Sequence, residues 1–263
     1  MDQASLQSET ASPRLGVAGL VLWMMAAGTP PLAAPPDEAS AGARERLEHL
    51  LESRGGEASF GQLREIRRIG TLVVAVPGGE ESMPFELTVR PPGHVRLSIG
   101  EGQDLVLKVL DPVHAYEVHG TAPESALTPL SRRSLQRAVR LDEAFLPYRT
   151  LHGSLEAVGV EEAGPGQLPA ELVAAAGLAV KIREPDGSEI RLVLPPEGGL
   201  PRRVDYQARG EDGKMIPTSD VFRDWRVVDG MLFPFEVMLF VEQRGLMMVR
   251  YDKIEVDLAS PVR

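Results

Sequence analysis

From Ile69 onward the side chains alternate between apolar and polar with a period of two. Phe85, Leu87 and Val89 alternate with Glu86, Thr88 and Arg90, and Val95, Leu97 and Ile99 with Arg96, Ser98 and Gly100, across a Pro91-Pro92-Gly93 turn. Two is the side-chain repeat of a strand, so these are half-buried strands joined tightly. Further strand-like runs lie at 104–110, 115–119, 178–183, 190–194, 203–208, 233–240 and 246–256, separated by turn signals such as Pro185-Asp186-Gly187, Gly198-Gly199 and Asp212-Gly213. Turns rather than crossover helices connect them, which predicts an antiparallel meander. The expected fold is mainly β: a curved antiparallel sheet with two or three helices, in one domain over 44–263.

The period changes in only a few places. Ala43, Leu47, Leu50 and Leu51 recur at i, i+4, i+7 and i+8 before Gly55-Gly56, the pattern of an amphipathic helix with a glycine stop. Thr128-Pro129 reads as an N-cap followed by proline at the first helical position, and Leu130, Leu135, Ala138, Val139, Leu141 and Phe145 give that helix an apolar face up to Pro147. A weaker helical signal lies at 169–176, within a Gly/Ala/Pro-rich stretch. Residues 35–43, rich in Pro, Ala and acid, read as a linker.

Before the linker, residues 15–27 form an uncharged apolar run preceded by Arg14 and followed by small residues up to Ala33-Ala34. At 1.5 Å per residue this run spans roughly 20 Å, short of a ~30 Å hydrocarbon core. It suits the h-region of a secretory signal peptide over 1–34 better than a membrane span. The expected location is therefore an extracytoplasmic compartment, with no transmembrane segment in the mature chain. The chain has no cysteine, which excludes a disulfide framework, a thiolate metal site, a thiol nucleophile and a lipid-modified N-terminal cysteine. A formal charge of -10 argues against a partner held by its nucleic-acid backbone, and 43% hydrophobic residues argue against a disordered chain.

Catalytic signatures are sparse. There is no G-x-S-x-G elbow, no H-E-x-x-H and no glycine-rich phosphate loop opening a helix, so neither enzyme activity nor a cofactor is expected. His114 and His119 sit five apart in an extended segment, which sends them to opposite faces and away from a shared metal. Arg133, Arg137 and Arg140 fall at i, i+4 and i+7 on one side of the second helix, with Arg132 beside them. They form either a patch for an anionic partner or a solvated helix back. The strands carry apolar side chains on both faces: Phe233, Phe235, Val237 and Leu239 on one side, Met238 and Phe240 on the other. The second face either packs beneath another element or lines a ligand cavity.

Several strings, taken together and in order, resemble the superfamily of bacterial outer-membrane lipoprotein carriers and sorting proteins, the LolA/LolB-like fold. They are Thr88 to Leu97 around the proline turn, Asp111-Pro112-Val113-His114-Ala115-Tyr116-Glu117-Val118, Gly199-Leu200-Pro201-Arg202-Arg203, and Ser219 to Pro234 ending in Asp229-Gly230-Met231-Leu232-Phe233-Pro234. The likeness runs from about Leu47 to Asp257. It implies a half-open β-barrel whose apolar concave side is covered by a helical lid, and a non-catalytic periplasmic protein that binds acyl chains of a lipoprotein or lipid. Membrane-associated donor and acceptor proteins would be its partners. The missing lipid-attachment cysteine sets this chain apart from anchored members.

A long acyl chain, at about 0.8 kcal/mol per buried methylene, is worth on the order of 10 kcal/mol, so a carrier must enclose most of it. The residues expected to line such a cavity are Phe85, Leu87, Val89, Val95, Leu97, Ile99, Leu105, Leu107, Tyr116, Phe233, Phe235, Val237 and Leu239 on the sheet. Leu135, Val139 and Phe145 are expected to contribute from the covering helix. The alternative is an envelope-sensing or scaffolding module of the same fold that holds a protein partner through Arg133, Arg137 and Arg140.

Overall fold

Residues 1 and 263 are also the first and last of the computed structural model, which describes residues 38–76, 78–153, 155–164, 168, 177–210, 213–242 and 244–259. The apolar run at 15–27 and the weak helical signal at 169–176 lie outside the described residues.

Among the described residues thirteen strands form one antiparallel sheet: β1 (Leu63–Val76), β2 (Gly79–Arg90), β3 (His94–Ile99), β4 (Val106–Leu110), β5 (Ala115–His119), β6 (Ser125–Ala126), β7 (Glu156–Ala163), β8 (Gly177–Arg183), β9 (Glu189–Leu194), β10 (Arg203–Arg209), β11 (Met215–Val228), β12 (Met231–Val241) and β13 (Arg244–Leu258). Their spatial order is β6-β5-β4-β3-β2-β1-β13-β12-β11-β10-β9-β8-β7. The first and last strands of the chain pair at the middle, and the two edges, β6 and β7, are consecutive in sequence. The sheet is curved and unclosed. The segment from β6 to β7 holds the helices α3 (Pro129–Leu141) and α4 (Leu146–His152), so one connection carries the chain from one edge to the other.

The remaining helices, α1 (Glu38–Ser53) and α2 (Glu57–Gln62), precede the sheet. Ala43, Leu47, Leu50 and Leu51, the periodic positions, are the buried side of α1, which packs on β7, β8 and α4. The helix begins at Glu38 rather than after 43: Ala39, Ala41 and Ala43 favour helix, and the acidic Glu38 suits its first turn. The stretch expected to be a linker is thus mostly helical. Its far end closes on the β11–β12 turn, where Arg54 O accepts from Leu232 N at 2.9 Å. Gly55, at φ 126°, is needed there, since a Cβ would sit 2.5 Å from the Gly230 carbonyl oxygen.

Register settles which side of each strand faces the helices. Phe85 pairs with Ile99, Leu87 with Leu97 and Val89 with Val95, and Val237 pairs with both Phe222 and Val249, all on the inner face. That face and the inner sides of α1, α2, α3 and α4 make one core, which includes Ile66, Val89, Ile182, Ile190, Leu192 and Phe233 together with Leu47, Phe60, Leu135 and Leu146. On the outer face Val221 and Phe240 form a small separate cluster with Leu168, and Met238 packs against it. The second apolar face of β12 is thus partly covered by Leu168.

Candidate functional site

The second helix expected from the sequence is two helices. Thr128 caps α3, its Oγ1 accepting from Ser131 N at 3.0 Å, but the helix stops at Leu141. Pro147, read as a stop, lies in the first turn of α4. Between them, Asp142 and Glu143 turn into the protein. Arg68, on the inner face of β1 and 1% exposed, donates to both Asp142 oxygens at 2.7 and 3.0 Å and to Glu143 Oε1 at 2.7 Å. Arg54, at the end of α1, donates to the Glu143 carbonyl at 2.6 Å and stacks between the rings of Phe60 and Trp225, at 5.1 and 5.0 Å.

Two guanidiniums therefore face two carboxylates in the interior, where unpaired charge is costly. Burial works against the Arg68 charge, and Asp142 and Glu143 overcome it, holding its pKa well above the ordinary arginine value. Burial lowers Arg54 to about 10 despite the same acids, and raises Glu143 against the pull of Arg68. A second polar group lies on the inner face of β10 and β11. Arg137 covers the Tyr206 ring at 4.6 Å, and the Tyr206 hydroxyl donates to Asp220 Oδ1 at 3.3 Å. Asp220 keeps some of its surface accessible, yet it is set deep among protein atoms, and that burial pushes its pKa up to about 7.

Most of the expected lining residues meet in this interior. Phe85, Val89, Val95, Leu135, Val139, Phe145, Phe233 and Phe235 are buried in the main core, with Leu87, Leu97, Ile99 and Val237 packed at its margin. Leu239 is on the same face by its pairing with Met247, and is half-buried. Three residues are misplaced. Leu105 precedes β4 as the end of a short helical turn, Leu107 pairs with Ser98, and Tyr116 pairs with Val109, which puts the last two on the outer face. The inner residues of β4 are Val106, Lys108 and Leu110. Lys108 is tolerated there because Nζ donates to Ser131 Oγ of α3 at 3.2 Å and lies 3.9 Å from Glu117.

The arginine patch also reads differently. Arg133 is exposed, but Arg137 and Arg140 reach Glu184, a 3% exposed carboxylate between β8 and β9, at 3.8 and 3.4 Å. They fasten α3 to the sheet and are not a free basic face. His114 Nδ1 lies 3.1 Å from Asp111 and His119 3.6 Å from Glu117. Among the described residues no group of three or more His, Cys, Asp or Glu could hold a metal ion.

Two clefts flank α3. One of about 510 Å³ is lined by Pro92, Gly93, Leu110, Asp111, Pro112, Arg132, Gln136, Val139, Arg140 and Arg149. The other, of about 370 Å³, lies on the Arg133–Arg137 side against Glu184, Asp186 and Arg209. Both are polar at the rim, and the apolar side chains expected to surround a chain instead touch the helices. Among the described residues no helix is long and apolar enough to cross a membrane.

No family model matches the chain, and no curated protein does. Solved structures that resemble it include a DUF1329 family protein from Desulfovibrio piger, at a TM-score of 0.44 and 12% identity, covering 83% of this chain and 93% of that one. An outer-membrane lipoprotein-sorting protein domain, so described, from Vibrio parahaemolyticus matches at 0.45 and 9%, covering 82% and 93%. A LolA superfamily protein from Nitrosomonas europaea matches at 0.43 and 9%, covering 86% and 95%.

Proposed function

We propose that the protein is a non-catalytic periplasmic carrier that takes the acyl chains of a lipoprotein or lipid against the inner face of its sheet and passes them towards the outer membrane. The observation that carries this reading is the nature of the cover. An apolar inner face runs across an unclosed sheet, and the segment bridging the two edges, α3 and α4, is held by polar contacts besides its buried Leu135, Val139, Phe145 and Leu146: Lys108 to Ser131, Arg137 and Arg140 to Glu184, and Arg68 to Asp142 and Glu143. Such contacts can be exchanged for water when the cover lifts. Leu135, Val139 and Phe145 would then leave the core and free the space that an acyl chain needs. The signal peptide over 1–34 and the single domain over 44–263 belong to this proposal.

A second reading, a module of the same fold that binds a protein partner, is favoured by the filled interior. Native mass spectrometry with lipid extraction separates the two. The full chain, purified without detergent from the periplasm of an expressing bacterium, should carry discrete added masses that extract as lipid. Those masses should be lost in Leu87→Asp or Leu97→Asp. A protein that arrives empty and takes up neither added lipoprotein nor phospholipid is not a carrier.

A further inference from the structure

The 510 Å³ cleft has a composition unlike the rest of the molecule. The chain carries a formal charge of -10, yet three guanidiniums, Arg132, Arg140 and Arg149, converge here with the Gln136 side chain. Arg132, Gln136, Val139 and Arg140 occur at i, i+4, i+7 and i+8 of α3, so one side of that helix forms a wall. Arg149 comes from α4, where Nη1 donates to the Val139 carbonyl at 3.2 Å. The opposite wall consists of two loops, Pro92-Gly93 between β2 and β3 and Asp111-Pro112 between β4 and β5.

Three arginines and one acidic residue line this cleft. Asp111 is its acidic residue, and its carboxylate is already engaged: Oδ1 accepts from Val113 N at 2.7 Å and His114 N at 2.6 Å, and Oδ2 lies 3.1 Å from His114 Nδ1. These bonds, the His114 and Val113 amides first, hold it down at about 2. Arg140 shares Glu184 with Arg137 on the far side of α3. Arg149 is pulled below the ordinary arginine value by burial and then by the positive charge of Arg140, while Glu184 and Asp142 act the other way. The floor of the cleft differs again: Leu110 and Val139 are buried members of the main core.

We infer that this cleft is an anion site for a phosphate group, with Arg132, Arg140 and Arg149 as its ligands and the apolar floor beneath it suited to a phosphate borne by an amphiphile. Guanidinium forks match phosphate oxygens two at a time, and the volume falls within the roughly 300–1,000 Å³ usual for small-molecule sites. Free phosphate and a phospholipid headgroup share this chemistry. The inference goes beyond acyl-chain binding and stands without it, because a phosphate held here needs no movement of α3.

The test is titration calorimetry on the full chain at low ionic strength with two probes, inorganic phosphate and dihexanoyl phosphatidylglycerol kept monomeric. Binding of either is expected, and it should weaken about tenfold in Arg132→Ala, an exposed position whose loss leaves the core alone. Arg149→Lys keeps the charge but loses the fork and should weaken binding as well. Arg133→Ala, on the other side of α3, should change nothing. Tighter binding of the lipid than of phosphate identifies the headgroup as the source, and equal binding identifies a free anion. If neither probe binds, or if Arg132→Ala binds as the parent does, the site is overturned. Phosphate binding in a protein that takes up no long acyl chain would sink the carrier reading and leave this one standing.

Discussion

The helices α1 and α3 cover opposite parts of the same sheet, and they are held by different forces. The buried side of α1 is Ala43, Leu47, Leu50 and Leu51, each 1% exposed or less, set against β7, β8 and α4. For α3 only Leu135, Val139 and Leu141 are buried. Around them the helix is tied by Lys108, Glu117 and Glu184, through Ser131, Arg137 and Arg140. Fully burying a leucine is worth about 1.5–3 kcal/mol, whereas a partly exposed ion pair is worth about 0–1 kcal/mol. On this comparison the α3 side is expected to yield before the α1 side. The two sides meet at the Arg54–Arg68–Asp142–Glu143 group, which joins the end of α1 to the junction of α3 and α4.

The largest effect is expected at that meeting point. Arg68→Met leaves Asp142 and Glu143 buried without their main partner and should cost about 3–5 kcal/mol in denaturant unfolding. Adding Asp142→Asn and Glu143→Gln should recover a good part of the loss. If the single variant costs less than the triple, the group does not act as a charge-balanced unit and the two sides are not joined there.

Leucine truncation compares the sides directly. Leu47→Ala on α1 should cost about 2–5 kcal/mol, near the upper end because its surroundings are fully packed. Leu135→Ala on α3 should fall near the lower end, since the cover can settle into the space. Equal losses would remove the distinction between a fixed and a yielding cover.

The α1 helix and the β2–β3 hairpin are legible in the sequence because their patterns are local: four apolar positions at helical spacing, and three apolar pairs across a proline turn. Where sequence reasoning fails, the deciding partner lies far along the chain. Residues 106–110, Val-Leu-Lys-Val-Leu, are apolar in both phases, and only Glu117 and Ser131 explain why Lys108 faces inward. Asp142 and Glu143 look like solvated helix residues until Arg68, 74 and 75 positions away, is placed beside them. Arg137 and Arg140 look like a free patch because Glu184, their shared partner, sits in another turn. The strand β7 escapes notice because its apolar positions are broken out of phase by Gly159 and the adjacent Glu161 and Glu162, with a register shift between Ala157 and Gly159. In β11 the inner face carries Thr218 and Asp220 where a hydrophobic repeat would be sought. Most of the candidate lining is legible for the same local reason as the hairpin, whereas the arginine cleft is not, because four separate segments build it.

A smaller effect tests the inner wall that α3 covers. Asp220 has a folded pKa of about 7 against an ordinary 3.8, so the folded state holds a proton that the unfolded state has lost. Stability should therefore fall as the pH rises from about 4 to 7 and stay lower above it, by on the order of 1–3 kcal/mol. Asp220→Asn should remove that fall, gaining more at pH 8 than at pH 4. A parallel pH dependence in parent and variant would mean that Asp220 is solvated and that the α3 side is already open.

The smallest effect on stability is the most informative about the cover. Glu184→Gln keeps the shape and the acceptor that Ser188 Oγ reaches at 2.7 Å, while removing the charge shared by Arg137 and Arg140. Global stability should change by less than about 1 kcal/mol, because both arginines are partly exposed and the geometry is imperfect, with Arg140 Nε lacking a hydrogen-bond acceptor. Hydrogen exchange should nonetheless quicken in α3 and α4 while α1 stays protected, since local opening is governed by the interactions that hold that segment and not by the whole fold. Faster exchange in α1 as well would mean that the two helices leave the sheet together. In that case the contrast between them describes packing alone, and an acyl chain could enter only by unfolding the cover as one piece.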